Sequence, residues 1–257
     1  MSAIWLIGGT SESREIAHRL SREGFPWVVT VTTPSAVRLY RNLLGTVEIG
    51  PLSPETIDGF LDRHSIDVII DASHPFSTSV SKLAISTGLP YLRFERPRVP
   101  LPENTLVLRD LPSLLEPQYL QGRRILLTLG VQALSHFSPW LDRCQLWARI
   151  LPDEASIRQG LDAGFPHDRL IPQRLPISLE TECQLWKKLR VDTVVTKAAG
   201  VAGGVDIKQA AARVLNVHLV VLDRPKIDYP KMTSNPAKIF DFIRDKYPIQ
   251  KTKKLFS

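Results

Sequence analysis

The chain has 257 residues, of which 43% are apolar and 23% are charged, a composition typical of a globular protein with a well-buried core. It contains no run near the roughly 20 apolar residues that a membrane span needs, and its start does not resemble a secretory signal. The net charge of +7 favours anionic partners, but aromatic and basic residues do not alternate as in proteins that bind single-stranded nucleic acid, so we expect neither a nucleic-acid nor a membrane partner.

Short apolar runs rich in β-branched residues alternate with helical patterns along the chain. Such runs are typical of strands covered on both faces by helices, and hence of mostly parallel sheets. We therefore predict an α/β fold of two lobes, each with a mostly parallel sheet flanked by helices, with a Rossmann-like N-terminal lobe. The predicted strands are Ile4–Ile7, Trp27–Thr32, Val47–Ile49, Val68–Asp71, Tyr91–Phe94, Leu106–Leu108, Ile125–Thr128, Leu146–Ile150, Thr193–Thr196 and Leu219–Leu222.

Helical patterns occupy several of the intervening segments. In one of them Ser53 is the predicted N-cap, and Pro54 stands at the first helical position, where its missing N–H costs nothing. The predicted helices are Glu12–Glu23, Pro54–His64, Ser77–Thr87 and Asp206–Leu215.

A proline-rich segment between Pro97 and Pro117 indicates a domain boundary. We predict a dinucleotide-binding domain over residues 1–117 and a second α/β domain over 118–257 that ends in the basic tail 251–254. The two cysteines, Cys144 and Cys183, lack companions at zinc-ligand spacing. We expect no metal site and a cytoplasmic protein with free thiols, either a monomer or a homodimer.

The first predicted strand ends in a glycine turn, Gly8-Gly9-Thr10-Ser11, followed by a helical pattern. A strand, a glycine turn and a helix N-terminus together form an anion site, because amides of the first helical turn point outward with the positive end of the helix dipole behind them. The spacing is compressed relative to G-x-G-x-x-G, and the third glycine is missing. The turn is therefore a candidate pyrophosphate site, and a tight turn without a ligand is the alternative.

The second predicted strand ends in hydroxyl residues and lacks the acid that hydrogen-bonds the ribose 2′-hydroxyl of NAD. Thr32, Thr33 and Ser35, with Arg38 and Arg41 nearby, would accept a 2′-phosphate. We expect NADPH rather than NADH if a dinucleotide binds. The alternative is a polar loop.

The fourth predicted strand is followed by a turn that carries His74 and Pro75. Ligands of α/β folds bind at the carboxyl ends of strands, and histidine exchanges protons near neutral pH. The alternative is local, with Asp71 capping backbone groups and His74 filling the turn.

In the second lobe, a predicted strand ends at Lys197 and is followed by the small-residue loop 198–204. An ammonium group at this position, facing a cleft between the lobes, suits an anionic ligand or proton donation. A solvent-facing lysine is the alternative. The segment Leu126–Leu134 is a third junction of strand, glycine and predicted helix.

Taken together, these motifs resemble the precorrin-6A reductases of the cobalamin pathway, in the family's order and over nearly the whole chain. The resemblance implies hydride transfer from a reduced nicotinamide to a double bond of an anionic tetrapyrrole, which converts precorrin-6A to precorrin-6B. Some members act on the cobalt-bearing substrate and use NADH. The similar segments are residues 6–17, 68–84, 90–97, 125–134, 194–215 and 220–225.

The resemblance also implies roles for particular residues. The chain departs from many members in having Thr33-Pro34-Ser35 in place of Ala-Gly-Arg, and Ala198-Ala199-Gly200 in place of Asn-Ser-Gly. Lys197 or His74 either protonates the ring nitrogen or stabilises charge there, and the choice stays open. The implied cofactor-binding residues are Gly8, Gly9, Thr10, Ser11, Arg14, Thr32, Ser35, Ser73, His74 and Pro75, and the candidate substrate contacts are Arg93, Arg96, Arg98, Lys197, Gly200 and Arg224.

Two rival functions follow from other features. The segment Tyr247-Pro-Ile-Gln-Lys251 matches the Tyr-x-x-x-Lys pair of short-chain dehydrogenases, but Pro248 disfavours a helix at Tyr247. The second rival is a non-catalytic NADP-binding regulator, which would need the glycine turn but not the lysine loop of the second lobe.

Overall fold

The computed structural model describes residues 2–103 and 105–246, which form two compact units. The first unit holds the residues up to Arg96 together with those from Lys226 onward, and the second holds Pro97–Pro225. This division lies earlier in the chain than the predicted boundary after residue 117. The segment that begins at Lys226 belongs to the first unit, and no local feature of the composition predicts this assignment.

Each unit contains one six-stranded sheet in which all pairs are parallel. The strands are β1 (Ala3–Ile7), β2 (Trp27–Val31), β3 (Thr46–Ile49), β4 (Ile66–Asp71), β5 (Tyr91–Phe94), β6 (Leu106–Leu108), β7 (Arg124–Thr128), β8 (Gln145–Ile150), β9 (Leu170–Pro172), β10 (Thr193–Lys197), β11 (His218–Leu222) and β12 (Met232–Thr233).

Both sheets have the Rossmann strand order. The first runs β3-β2-β1-β4-β5-β12, and the second runs β9-β8-β7-β10-β11-β6. The strand order reverses between β1 and β4 in the first sheet and between β7 and β10 in the second. Ligands of such sheets bind beyond the carboxyl ends of these two strands. The topology therefore directs attention to the ends of β1 and β4, and of β7 and β10.

The ten predicted strands are all present, and the α/β prediction is confirmed. Each sheet is completed by a short edge strand, and β12 is separated in sequence from the rest of its unit. β6 precedes its unit's other strands and pairs with β11, so that Leu106 lies opposite Val220. β12 pairs with β5, with Met232 opposite Arg93. The prediction missed β12 and β9, because two or three residues carry too little periodicity to be recognised.

Ten α-helices connect or cover these strands within the described residues: α1 (Ser11–Glu23), α2 (Pro34–Val37), α3 (Ile57–His64), α4 (Thr78–Ser86), α5 (Leu111–Leu114), α6 (Pro117–Leu120), α7 (Glu154–Asp162), α8 (Leu179–Leu189), α9 (Val205–Leu215) and α10 (Pro236–Lys246). Short 3₁₀ segments lie at Arg38–Tyr40, Val131–Trp140, His167–Arg169 and Val201–Gly203.

Two helix predictions need correction. The helix predicted over Pro54–His64 begins at Ile57, because the preceding residues form a turn in which the Ile57 amide donates to the Ser53 carbonyl at 3.0 Å. The junction after β7 continues as the 3₁₀ segment, with Pro139 inside it, instead of an α-helix. Pro139 has no amide to donate, which disfavours a regular α-helical ladder.

The core of the first unit lies on both faces of its sheet. Ile4 and Leu6 belong to one apolar cluster, whereas Trp5 belongs to another, and all three are fully buried. Successive side chains of a strand point to opposite faces, so both faces of β1 are covered. This explains the continuous apolar runs. In the described residues, no helix combines the length and apolar character that crossing a membrane requires.

Candidate functional site

The glycine turn leads from β1 into α1 through a built helix cap. Thr10 is the N-cap: its hydroxyl accepts from the Ser13 amide at 3.1 Å, and the Ser13 hydroxyl accepts from the Thr10 amide at 3.0 Å. Thr10 Oγ1 also donates to the Ala72 carbonyl at 2.8 Å. This bond joins the glycine turn to the end of β4, so the two strand ends of the switch point are held together.

Most of the backbone amides predicted to bind a pyrophosphate already have partners. The Gly8 amide donates to the Thr30 carbonyl at 3.0 Å, and the Gly9 amide donates to the Tyr40 hydroxyl at 2.8 Å. The Thr10 amide is used in the cap. Within the described residues, the amides of Ser11 and Glu12 have no acceptor, so Ser11 alone of the four predicted residues keeps an amide available for an anion, and the Glu12 amide follows it.

Local packing explains the glycine at position 8, and backbone conformation explains the glycine at position 9. A Cβ on Gly8 would overlap the Tyr40 hydroxyl and the Val29 side chain. Gly9 has φ +94°, a conformation that favours glycine, and a Cβ there would meet nothing within 4 Å. The space over Gly9 is therefore open, as a bound phosphate would require.

Replacing Gly8 by alanine is expected to lower the free energy of unfolding by about 1–3 kcal/mol and to weaken binding of a nicotinamide cofactor, because the added Cβ overlaps Tyr40 and Val29 and displaces the glycine turn. Denaturant unfolding and calorimetry measure the two effects. The matched control is Gly59→Ala in α3, where a Cβ meets nothing within 4 Å. Equal behaviour of the two variants would contradict the assigned packing.

The segment after β2, the strand that pairs with β1, carries several hydroxyl side chains. Thr32 and Thr33 are exposed and Ser35 is half-buried, and the Thr33 and Ser35 hydroxyls lie 3.1 Å apart. Arg14 on α1 and Arg38 are both exposed. Their role as contacts for a dinucleotide stays a prediction.

The end of β4 carries a buried hydrogen-bond network around Asp71, which is completely buried. Its Oδ2 accepts from the hydroxyls of Ser81 and Tyr91, each at 2.6 Å. Its Oδ1 accepts from Arg93 Nη1 at 2.8 Å and from the Ser73 amide at 3.0 Å. Burial and the negative charge of Asp71 raise the pKa of Tyr91, so its hydroxyl stays protonated as a donor. Asp71 thus does more than cap local backbone.

His74 follows this network in a stiff turn. Its Nδ1 accepts from the Phe76 amide at 3.2 Å, and its carbonyl accepts from the Ser77 amide at 2.8 Å. Pro75 is buried and His74 half-buried. Because Nδ1 is an acceptor, neutral His74 carries its proton on Nε2.

Arg93 belongs to this buried hydrogen-bond network. Its side chain is 1% exposed, and besides Asp71 and Ser73 it binds the Glu95 carboxylate through Nε at 2.8 Å. Its guanidinium also lies over the Tyr229 ring, 5.4 Å from the centroid. Arg93 therefore holds the ends of β4 and β5 together, and its contact with a substrate stays a prediction.

The other predicted arginines are placed differently. Arg96 binds Glu12 at 3.0 Å, which places it beside the first turn of α1. Arg224 is 6% exposed and donates to the Ala198 carbonyl at 2.7 Å, so it braces the backbone after β10, and its contact with a substrate stays a prediction. Arg98 is 60% exposed and pairs with Asp223 at 2.5 Å.

Lys197 ends β10 at the switch point of the second sheet. Its side chain is half-buried, and burial lowers its pKa. The Ala199 amide donates to its carbonyl at 2.7 Å. Gly200 is buried with φ +77°, so the loop turns in a conformation that favours glycine. Lys197 and the glycine loop thus lie at the carboxyl end of β10, as the sequence predicted.

Sequence reasoning missed Tyr40, the acceptor for Gly9, as well as Ser81, Tyr91 and Tyr229 around Asp71. No spacing signal links Tyr40 to a glycine 31 positions earlier. The Tyr247–Lys251 pair and the basic tail lie outside the described residues. Within residues 2–103 and 105–246, no cluster of three or more His, Cys, Asp or Glu could hold a metal ion.

Comparisons with known proteins agree on one family. The family described as "Precorrin-6x reductase CbiJ/CobK" matches residues 3–244. A Synechocystis sp. protein named cobalt-precorrin-6A reductase is 42% identical, covering 96% of this chain and 98% of the relative. A Rhodococcus erythropolis protein named precorrin-6A reductase is 32% identical, covering 88% and 91%.

A solved structure titled "CobK precorrin-6A reductase" shares the fold, with a TM-score of 0.78 over 96% of this chain and 98% of that chain at 24% identity. The family resemblance inferred from the motifs is thereby confirmed. The chain belongs to the precorrin-6x reductase family.

Proposed function

We propose that this protein transfers a hydride from NADPH to a double bond of precorrin-6A, giving precorrin-6B in cobalamin biosynthesis. Its family consists of oxidoreductases that act on a tetrapyrrole intermediate. The observation that carries the proposal is the bond between Thr10 and the Ala72 carbonyl, which holds the glycine turn against the strand end that bears His74. This is where a dinucleotide lies in a Rossmann sheet.

The residues of the first unit suit a dinucleotide. The amides of Ser11 and Glu12 and the open space over Gly9 accept the pyrophosphate, with the dipole of α1 behind them. His74, on the adjoining strand end, lies on the side expected for the nicotinamide. Reduced nicotinamide supplies the hydride, and the protein supplies binding, orientation and the proton.

We propose NADPH over NADH because of the charges after β2. No carboxylate stands at this strand end to repel a 2′-phosphate, and the hydroxyls of Thr32, Thr33 and Ser35 are within reach of solvent or a ligand. Arg38 adds a positive charge to the same segment. A guanidinium favours a phosphate partner through charge-assisted hydrogen bonds.

The tetrapyrrole is an anion with several carboxylates, and Lys197 is our proposed main contact and proton donor. Burial lowers its pKa, which brings the ammonium closer to the acidity that donating a proton near neutral pH requires. His74, in its imidazolium form, is the second candidate donor. The free thiols of Cys144 and Cys183 support a reducing, cytoplasmic location.

A second candidate is reduction of the cobalt-bearing substrate with NADH. The Synechocystis relative, at 42% identity, is named for that substrate. The Rhodococcus relative, at 32% identity, is named for the metal-free one.

An anaerobic assay with the purified protein tests the proposal. We expect the nicotinamide absorbance to fall in proportion to precorrin-6A added, with a higher kcat/KM for NADPH than for NADH. The same assay with cobalt-precorrin-6A decides the second candidate. NADPH binding in calorimetry without oxidation on either substrate would contradict the proposal and favour a non-catalytic regulator.

A further inference from the structure

The second unit contains a buried group of charges beside the glycine loop. Arg149 of β8 and Glu182 of α8 form a two-armed ion pair, with Nη1–Oε1 at 2.7 Å and Nη2–Oε2 at 2.5 Å. Lys208 of α9 is 2% exposed, and its charge interacts with both of them and with Asp206. Glu182 also accepts from Trp186 Nε1 at 3.0 Å. The two-armed pair forms without Lys208, and among the described residues Arg149 Nε is buried with no hydrogen-bond partner.

The Lys208 ammonium binds the backbone of the glycine loop. Nζ donates to the Gly203 carbonyl at 2.7 Å and to the Gly204 carbonyl at 3.3 Å. Gly204 has φ +65°, and a Cβ on it would lie 3.3 Å from Nζ. The side chain therefore reaches back from the second turn of α9 to hold the last two residues of the loop.

Contacts within the loop connect Gly203 to Lys197. The Gly203 amide donates to the Gly200 carbonyl at 3.0 Å, and the Ala199 amide donates to the Lys197 carbonyl at 2.7 Å. Gly203 packs directly on Ala199, since a Cβ on Gly203 would lie 2.5 Å from the Ala199 Cβ. A displacement of the Gly203 carbonyl thus displaces the residues that follow Lys197.

Burying this ammonium is costly for folding. Desolvation lowers the pKa of Lys208 to about 8, against the attraction of Glu182 and Asp206, while Arg149 repels it. A folded-state pKa below the ordinary lysine value means that the unfolded chain binds the proton more tightly, so the charged lysine lowers stability at neutral pH. An apolar side chain of similar length would avoid that cost.

We propose that Lys208 is a positioning residue, whose ammonium holds the loop Gly200–Gly204 in the conformation that presents Lys197 to the tetrapyrrole. The inference rests on the proposed function. Functional sites commonly retain groups that cost stability, and Lys208 fits this pattern because the loop carbonyls are its direct hydrogen-bond partners.

The test compares Lys208→Met with the wild-type protein and with Lys188→Met, a control at an exposed position on α8. We expect Lys208→Met to lower kcat/KM for precorrin-6A by about 10²-fold, since small displacements of catalytic groups have effects of that size. Its Kd for NADPH should stay unchanged, and its free energy of unfolding at neutral pH should not fall.

Hydrogen exchange supplies a readout that does not depend on turnover. The peptide covering residues 198–206 should exchange faster in Lys208→Met than in either reference protein, with other peptides unchanged. Lys208→Gln, which keeps one donor for the Gly203 carbonyl, should lie between wild type and Lys208→Met in both turnover and exchange.

Several results would overturn the inference. One is unchanged turnover with unchanged exchange. Another is a Lys208→Met protein that does not fold or that loses unfolding free energy, because Lys208 would then be a structural residue. If the wild-type protein itself does not oxidise NADPH, the proposed function fails, and the exchange result still decides whether Lys208 holds the loop.

Discussion

Lys197→Ala is expected to lower kcat for tetrapyrrole reduction by about 10²- to 10⁴-fold, the range attributed to a positioned acid or base. The Kd for NADPH should change little, because the amides and hydroxyls that suit the cofactor belong to the first unit, whereas Lys197 ends β10 in the second. Stopped-flow turnover and calorimetric NADPH titration measure the two quantities separately.

The pH dependence adds a second readout. An acid must be protonated to act, so activity falls as the pH rises through the pKa of Lys197. Because burial lowers that pKa from 10.5, the basic limb of the wild-type kcat profile should lie below pH 10.5. The limb should disappear in Lys197→Ala. Should the same limb persist at the same pH, His74 or another group is the donor.

The control for Lys197→Ala is Lys188→Ala, which removes an exposed ammonium from α8 and should leave both quantities unchanged. Equal losses of turnover and of NADPH affinity in Lys197→Ala would indicate that Lys197 contacts the cofactor. The assignment as proton donor would then be wrong.

Arg93→Met is expected to lower the free energy of unfolding by about 3–5 kcal/mol, because it leaves the buried Asp71 carboxylate without its cationic partner. Asp71 is completely buried and Arg93 is 1% exposed, so solvent does not take over the lost contact. The Ser73 hydroxyl loses its Arg93 donor as well, and the turn that carries His74 loosens. Equilibrium denaturant unfolding measures the loss.

Two further variants test whether the loss comes from the buried ion pair between Arg93 and Asp71. Arg98→Met removes an ion pair whose arginine is 60% exposed, and it should cost less than about 1 kcal/mol. The double variant Arg93→Met/Asp71→Asn should be less destabilised than the sum of the two single variants, since the charges act on each other. Additive losses, or a loss in Arg93→Met as small as in Arg98→Met, would show that the pair is not coupled.

The amino-acid sequence by itself determined the strands and the kind of fold. Apolar runs such as Ile4–Ile7 and Val68–Asp71 are local signals, because a strand covered on both faces must be apolar throughout. The glycine turn before α1 and the loop after Lys197 were also recognisable, since positive φ values and helix starts restrict residue types over a few positions.

Only the tertiary structure decided which groups meet. The Gly9 amide donates to the Tyr40 hydroxyl, Arg93 donates to the Asp71 carboxylate, and Lys208 donates to the Gly203 carbonyl. Likewise β6 and β12 are assigned to sheets by pairing with distant strands, which moves the boundary between units. Local patterns carry the periodicity of one element, whereas the partner of a buried polar group is selected by packing among residues far apart in the chain.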